Sequence, residues 1–323
     1  MWKTILILFV TAVLINGCRQ SLDNNTYPTL LWGFALDGYP IDESRLSALE
    51  KQTTLDAEFI NFFLQWPKQG DKGLIPVSSL DAIWKYGAVP VLTWEPLYND
   101  DKGRHMISYE DILDHKYDQY LGEFGEAIKA WNKPVIIRLM HEMNLKEYHW
   151  GTDTYNDKNP DIYIKMYRYI VELFRRKQVR NVVWAFCPNC DSVPFEEWNT
   201  AVQYYPGHNY VDIFGMDGYD WGTPSRTFEN IFLGLYNQLL KIADKPIIVF
   251  EMATVSEGEK RLAWIEEALK TAAEWNLKGM IWFQVNKEHN WELNASDARP
   301  IRKAISPAQK WILFQQEEGK GRN

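Results

Sequence analysis

Cysteine is nearly absent from this 323-residue chain, which carries only Cys18, Cys187 and Cys190. Cys187-Pro-Asn-Cys190 has the spacing of a zinc or redox pair. Zinc needs two more close ligands and no matching pair is visible. A thioredoxin-type motif opens a helix, whereas this one ends an apolar run. Both cysteines therefore read as structural, with a tight local disulfide open to them in an oxidising compartment. Positive charge is also in deficit: 35 Lys and Arg stand against 43 Asp and Glu, a formal charge of −8. That balance argues against nucleic acid, which calls for a basic stripe. Nucleotide and metal fingerprints are missing too. Gly33-Phe-Ala-Leu-Asp-Gly38 is not GxGxxG, and His141-Glu142 is followed by Met-Asn-Leu, so no HExxH occurs. Neither metal nor cofactor is expected.

No linker, repeat or low-complexity stretch divides the chain after its N-terminal leader. Lys3 and the apolar run Ile5–Ile15 read as a signal peptide over residues 1–17, too short for a confident membrane span. Leu14-Ile15-Asn16-Gly17-Cys18 has lipobox spacing, the alternative being an ordinary cleaved signal with an incidental cysteine. Lipidation at Cys18 predicts an exported protein anchored to the bacterial cell envelope, with residues 18–28 as a polar tether. Residues 29–323 then form one domain, expected to be monomeric.

Eight apolar runs punctuate that domain: Leu30–Leu36, Glu58–Leu64, Val89–Trp94, Val135–Leu139, Asn181–Phe186, Val211–Met216, Ile247–Phe250 and Gly279–Phe283. Near-continuous apolar runs suit parallel strands buried on both faces. Helical periodicity fills the gaps over Tyr117–Trp131, Ile162–Lys177 and Glu259–Trp275. Alternating strands and helices in roughly 300 residues predict an α/β fold, a single (β/α)8 TIM barrel. An open doubly wound sheet is disfavoured by the missing phosphate turn.

Polar and aromatic residues gather after the runs, where a barrel keeps its chemistry. Two carboxylates stand out: Glu142 in Pro134-Val-Ile-Ile-Arg-Leu-Met-His-Glu-Met-Asn144, and Glu251 in Pro246-Ile-Ile-Val-Phe-Glu251. Acids facing each other across a barrel mouth form a two-carboxylate glycosidase site. Glu95, Asp217 and Asp37 are rival acids, while Glu147, Glu196 and Glu197 read as solvated loop residues. Trp131, Trp264 and Trp275 sit on helices and read as packing. Trp66, Trp94, Trp150, Trp221 and Trp282 lie at or past strand ends and are candidates for stacking on a sugar.

Arg138-Leu-Met-His-Glu-Met-Asn144 resembles the fourth-strand signature of glycoside hydrolase family 26. The resemblance continues through Trp184, Tyr205–Tyr219, Lys245–Glu251, Ile281-Trp-Phe283 and Lys287-Glu-His-Asn-Trp291, and so covers most of residues 30–305. It implies that Glu142 is the general acid/base and Glu251 the nucleophile of a retaining double displacement. It further implies that Tyr219 contacts the nucleophile, that Arg138 and His141 orient the acid and the sugar, and that Trp282 floors the adjacent subsite. Asn144, Trp94, Glu95, Trp150, Asp217, Trp221 and Lys287 complete the expected substrate-binding set.

Leu145-Lys146 and Thr93-Trp-Glu-Pro96 depart from the mannanase form of this pattern, the latter replacing a histidine-containing strand end. The expectation is a β-1,4-mannanase-like endo-enzyme on a β-linked polysaccharide. A mixed-linkage β-glucanase, a β-xylanase or an exopolysaccharide-processing hydrolase is the alternative within the family. A non-catalytic carbohydrate-binding lipoprotein is the alternative outside it. Segments 97–115, 144–160 and 187–210 are expected to wall the cleft.

Overall fold

The computed structural model describes residues 30–152 and 158–305. The expected signal peptide, the expected lipidation at Cys18 and the expected tether lie outside the described residues. Strands and helices follow one another as β1 (Leu31–Leu36), α1 (Glu43–Thr53), β2 (Phe59–Gln65), α2 (Val77–Tyr86) and β3 (Val89–Glu95). Next come a hairpin of β4 (Leu97–Asp100) and β5 (Gly103–Met106), then α3 (Tyr109–Leu113), α4 (Asp118–Trp131), β6 (Val135–Leu139), α5 (Asp161–Arg176) and β7 (Val182–Phe186). The chain continues as β8 (Ile213–Asp220), α6 (Phe228–Ile242), β9 (Ile247–Thr254), α7 (Gly258–Glu274), β10 (Gly279–Phe283) and α8 (Arg299–Ala304).

All eight expected strands form, and they close as a parallel barrel in the order β1-β10-β9-β8-β7-β6-β3-β2. Apolar runs buried on both faces suit parallel strands joined by helices, and the closed order selects the barrel over an open doubly wound sheet. The helices bury the faces that their periodicity predicts. In α4, Tyr120, Phe124, Ile128 and Trp131 face the barrel, and the helix stops at Asn132 in the left-handed conformation. In α5, Tyr163, Met166, Tyr167, Ile170 and Phe174 do the same, with Arg175 and Arg176 complementing the dipole of its last turn. Among the described residues no helix is long and apolar enough to cross a membrane.

Three departures from the expected elements shape the barrel mouth. β8 and β9 run farther than their apolar cores, so Asp217, Tyr219 and Glu251 lie on strands and not beyond them. β9 also bulges: Met216 pairs with Val249 but Asp217 pairs with Glu251, and the register shifts against β10 at the same place. A bulge re-aims the side chain that follows it, here Glu251. Finally, within the segment 97–115, residues 97–106 form an antiparallel hairpin for which no strands were expected.

Candidate active site

Alternation along each strand decides which side chain reaches the barrel axis. On β3, Thr93 and Glu95 point inward, whereas Trp94 points outward against Phe124 of α4 (4.3 Å between ring centroids) and Phe174 of α5. On β10, Trp282 turns outward between Trp32 and Trp264 of α7, and its neighbour Phe283 turns in. Trp66 packs on Trp94, Tyr117 and Tyr120. Trp150 lies beneath Tyr148, with its indole N–H donating to the His141 carbonyl at 2.6 Å. Trp66, Trp94, Trp150 and Trp282 are each no more than 1% exposed and cannot stack on a sugar. These four expectations are corrected, as is Trp282 as a subsite floor. Trp221 alone of the five is open, at 50% exposure.

A cleft of about 710 Å³ occupies the mouth formed by the carboxyl ends of the strands. Glu142 and Glu251 both line it, together with Glu95, Tyr219, Trp221 and Lys287 from the expected set. Phe63, Arg104, Tyr148, Asn189, Phe283 and Trp291 also line it. Arg138, His141, Asn144 and Asp217 are buried behind that surface, so they hold the site and do not face the cleft.

Glu142 sits in the tight turn after β6. Met140 and Glu142 both adopt left-handed backbone (φ 49° and 51°), and the Glu142 N–H donates to the Cys187 carbonyl at 2.8 Å. A left-handed L-residue costs roughly 1–2 kcal/mol, and such outliers concentrate at functional sites. Asn189 Nδ2 donates to Oε1 of Glu142 at 2.6 Å. Burial, and then the nearby Glu251 carboxylate, push the Glu142 carboxyl up to about 8. It therefore keeps its proton at neutral pH.

Glu251 has the opposite surroundings. Arg138 Nη2 donates to Oε1 and the Tyr219 hydroxyl donates to Oε2, so both oxygens face donors suited to an anion. Arg138 is fully buried. Its Nη1 donates to Asp217 Oδ2 at 2.5 Å, and its Nε donates to Thr93 Oγ1 at 2.9 Å. Thr93 passes the chain on to Asn61 Oδ1 at 2.8 Å. Burial works against the guanidinium charge, but Asp217 and Glu251 override it and hold Arg138 ionised. Two neighbouring carboxyls in unlike settings are how a site separates a proton donor from an anion.

Asn144 acts at one remove, through the loop after β7. It donates to the Asn189 carbonyl at 2.8 Å and accepts from the Asn189 N–H at 2.9 Å, fixing the residue that holds Glu142. Cys187 and Cys190 remain thiols, so no local disulfide forms. Cys187 fits tightly below the site, because a Cβ at Gly215 would lie 2.6 Å from its sulfur. Glu95 is buried, and its Oε2 accepts from Gln65 Nε2 at 2.6 Å. Among the described residues no group of three or more His, Cys, Asp or Glu could hold a metal.

Residues 104–313 match the profile of Glycosyl hydrolase family 26. Endoglucanase H of Acetivibrio thermocellus is 30% identical over 306 residues, which cover 92% of this chain and 32% of that protein. A mannan endo-1,4-beta-mannosidase of Bacillus subtilis is 29% identical over 164 residues, covering 44% of this chain and 43% of the relative. The chain thus spans under half the length of these curated relatives. The structure of a GH26 β-mannanase from Bacteroides ovatus superposes with a TM-score of 0.64 at 18% identity, covering 88% of this chain and 92% of that one. At that identity the likeness is one of fold.

Proposed function

The chain belongs to glycosyl hydrolase family 26, and from that membership we propose that it is a retaining, endo-acting β-glycan hydrolase of mannanase type. The observation that carries the proposal is the pair of unlike carboxyls in one cleft. Glu142 is held protonated by burial beside Glu251, and Glu251 receives donors on both oxygens. In the first step Glu251 attacks the anomeric carbon while Glu142 gives its proton to the departing glycosidic oxygen. In the second, Glu142 takes a proton from water, which displaces Glu251 from the sugar. Mannan as the polymer is supported by the mannosidase relatives.

A second reading, a β-glucan as substrate, is favoured by the likeness to Endoglucanase H along almost the whole chain. The third strand also ends in Thr93-Trp-Glu-Pro96 and not in the histidine-containing form common in mannanases. Reducing-sugar release from galactomannan, glucomannan, mixed-linkage β-glucan, β-1,3-xylan and cellulose separates the two. Faster hydrolysis of mixed-linkage glucan than of either mannan would replace the first reading by the second.

The same proposal places the enzyme on the cell envelope through a lipid at Cys18, supported by the lipobox spacing of residues 14–18. Metabolic labelling with a fatty acid that fails to tag the chain would remove that part.

The pH dependence follows from Glu142. Its folded carboxyl is raised, so the proton needed for catalysis is present below about 8 and is lost as pH rises through it. The kcat/KM for a polysaccharide is expected to fall tenfold per pH unit above that point. A 2,4-dinitrophenyl glycoside, whose leaving group needs no proton, should lack this limb for glycosylation. A polysaccharide profile flat to pH 10 would rule out Glu142 as the acid.

A further inference from the structure

We propose that Tyr148 is a positioning residue for Glu142, taking a hydrogen bond from His141 Nε2 and giving its own hydroxyl proton to the carboxyl. The inference rests on the reading of Glu142 as acid/base and adds a His141–Tyr148–Glu142 relay behind it.

One ring nitrogen of His141 brings the phenol and the carboxyl together. His141 Nε2 lies 3.1 Å from the Tyr148 oxygen and 3.9 Å from Glu142 Oε2, and the Tyr148 hydroxyl is a hydrogen-bonding neighbour of that carboxyl. Burial, followed by the charges of Arg138 and Arg104, holds His141 well below the ordinary histidine range, so the ring is neutral and carries one proton. Among the described residues Nδ1 of His141 is buried without a partner. A proton there would be a buried donor with no acceptor, which costs more than an unfilled lone pair. The proton therefore belongs on Nε2, an assignment made from the network. Nε2–H then donates to the Tyr148 oxygen, and the phenol proton is left for Glu142.

Tyr148 is held for this task. Its ring stacks on Trp150 at 4.6 Å between centroids, and the Arg104 guanidinium lies 5.5 Å from its centroid. The other charged or titratable groups near Glu142 do not duplicate the bond. Glu251 on β9 is an acceptor whose two oxygens are already engaged. Arg138 on β6 is committed to Asp217 of β8, to Thr93 and to Glu251, and Tyr219 of β8 is committed to Glu251. Cys190, after β7, is a thiol whose proton burial retains. Asn189 donates to Oε1, while His141 lies on the side of Oε2. When the Glu142 O–H bond breaks and its proton passes to the glycosidic oxygen, the carboxylate left behind keeps donors on both oxygens.

Tyr148→Phe removes the hydroxyl alone. The Glu142 carboxyl is followed by ¹³C NMR in protein labelled at the glutamate side-chain carboxyl, its signal assigned by loss in Glu142→Gln. Losing a donor to a charged group is expected to move the midpoint about one pH unit above its wild-type value near 8. The alkaline limb of kcat/KM should move with it, kcat on polysaccharide should fall about tenfold, and KM should stay within about twofold. His141→Gln, which retains an N–H donor, should leave the midpoint near the wild-type value, whereas His141→Phe should raise it. An unchanged midpoint in Tyr148→Phe overturns the relay. So does a raised KM with kcat unchanged, which would make Tyr148 a binding residue. The titration needs no substrate, so a shifted midpoint in a protein that hydrolyses no glycan would support the relay and count against the glycosidase reading.

Discussion

Glu251→Ala is expected to lower kcat/KM by at least about 10⁴-fold on every β-glycan the protein cleaves, because the side chain that forms the glycosyl–enzyme bond is gone. The fold should survive, since Arg138 keeps its partners in Asp217 and Thr93. The cavity also makes a stereochemical test available. Azide entering the space vacated by Glu251 attacks from the nucleophile's face and should restore turnover, yielding an α-glycosyl azide from an activated β-glycoside. In Glu142→Ala, azide meets an intermediate already formed on Glu251, and the product should be the β-azide. Swapped anomers would exchange the two roles. Wild-type activity in Glu251→Ala would remove Glu251 from the reaction.

Arg138→Met is expected to be the most damaging change away from the cleft surface. Among the described residues Arg138 is the one cation bonded to both Asp217 and Glu251, and all three are buried. Methionine keeps much of the side-chain volume but strands two carboxylates in a poorly solvated interior. Breaking a buried ion pair by removing one partner costs about 3–5 kcal/mol, and denaturant unfolding should show a loss of that order. Catalysis should fall by a further factor of about 10²–10³, since a preorganised donor to the nucleophile is gone. Arg138→Lys should retain part of the stability and little of the rate, because one ammonium cannot reproduce the forked contacts to Asp217, Glu251 and Thr93. Undiminished stability in Arg138→Met would mean that the carboxylates are neutral in the resting protein and that the charge pattern drawn for the site is wrong.

The barrel was legible because parallel strands announce themselves by composition. Runs such as Val135–Leu139 and Gly279–Phe283 have the predicted bounds. The two glutamates were legible for a related reason, as charged residues directly after apolar runs. Facing direction was harder to read. Trp282 and Phe283 differ by one position, and a pleated strand sends neighbours to opposite sides, so a conspicuous tryptophan drew the choice away from the residue that lines the cleft. Trp94 and Glu95 repeat the lesson on β3. The bulge in β9 leaves no mark in composition, yet it aims Glu251.

Tyr148 escaped notice because segment 144–160 has neither period and its aromatics sit at irregular spacing. Its significance depends on where His141 and Trp150 place it. The β4–β5 hairpin did carry a signal in Asp101-Lys102-Gly103, whose glycine adopts φ 112°, a turn residue of the expected kind. Arg104 follows that turn directly and so reaches the cleft.

Retention is the claim on which the acid/base and nucleophile roles both depend. Proton NMR of a freshly mixed reaction on a β-linked oligosaccharide resolves the anomer formed before mutarotation. Double displacement through Glu251 predicts that β-anomer accumulates first and that α-anomer appears only at the rate of spontaneous equilibration. Initial formation of α-anomer would mean a single displacement by water and would contradict the account.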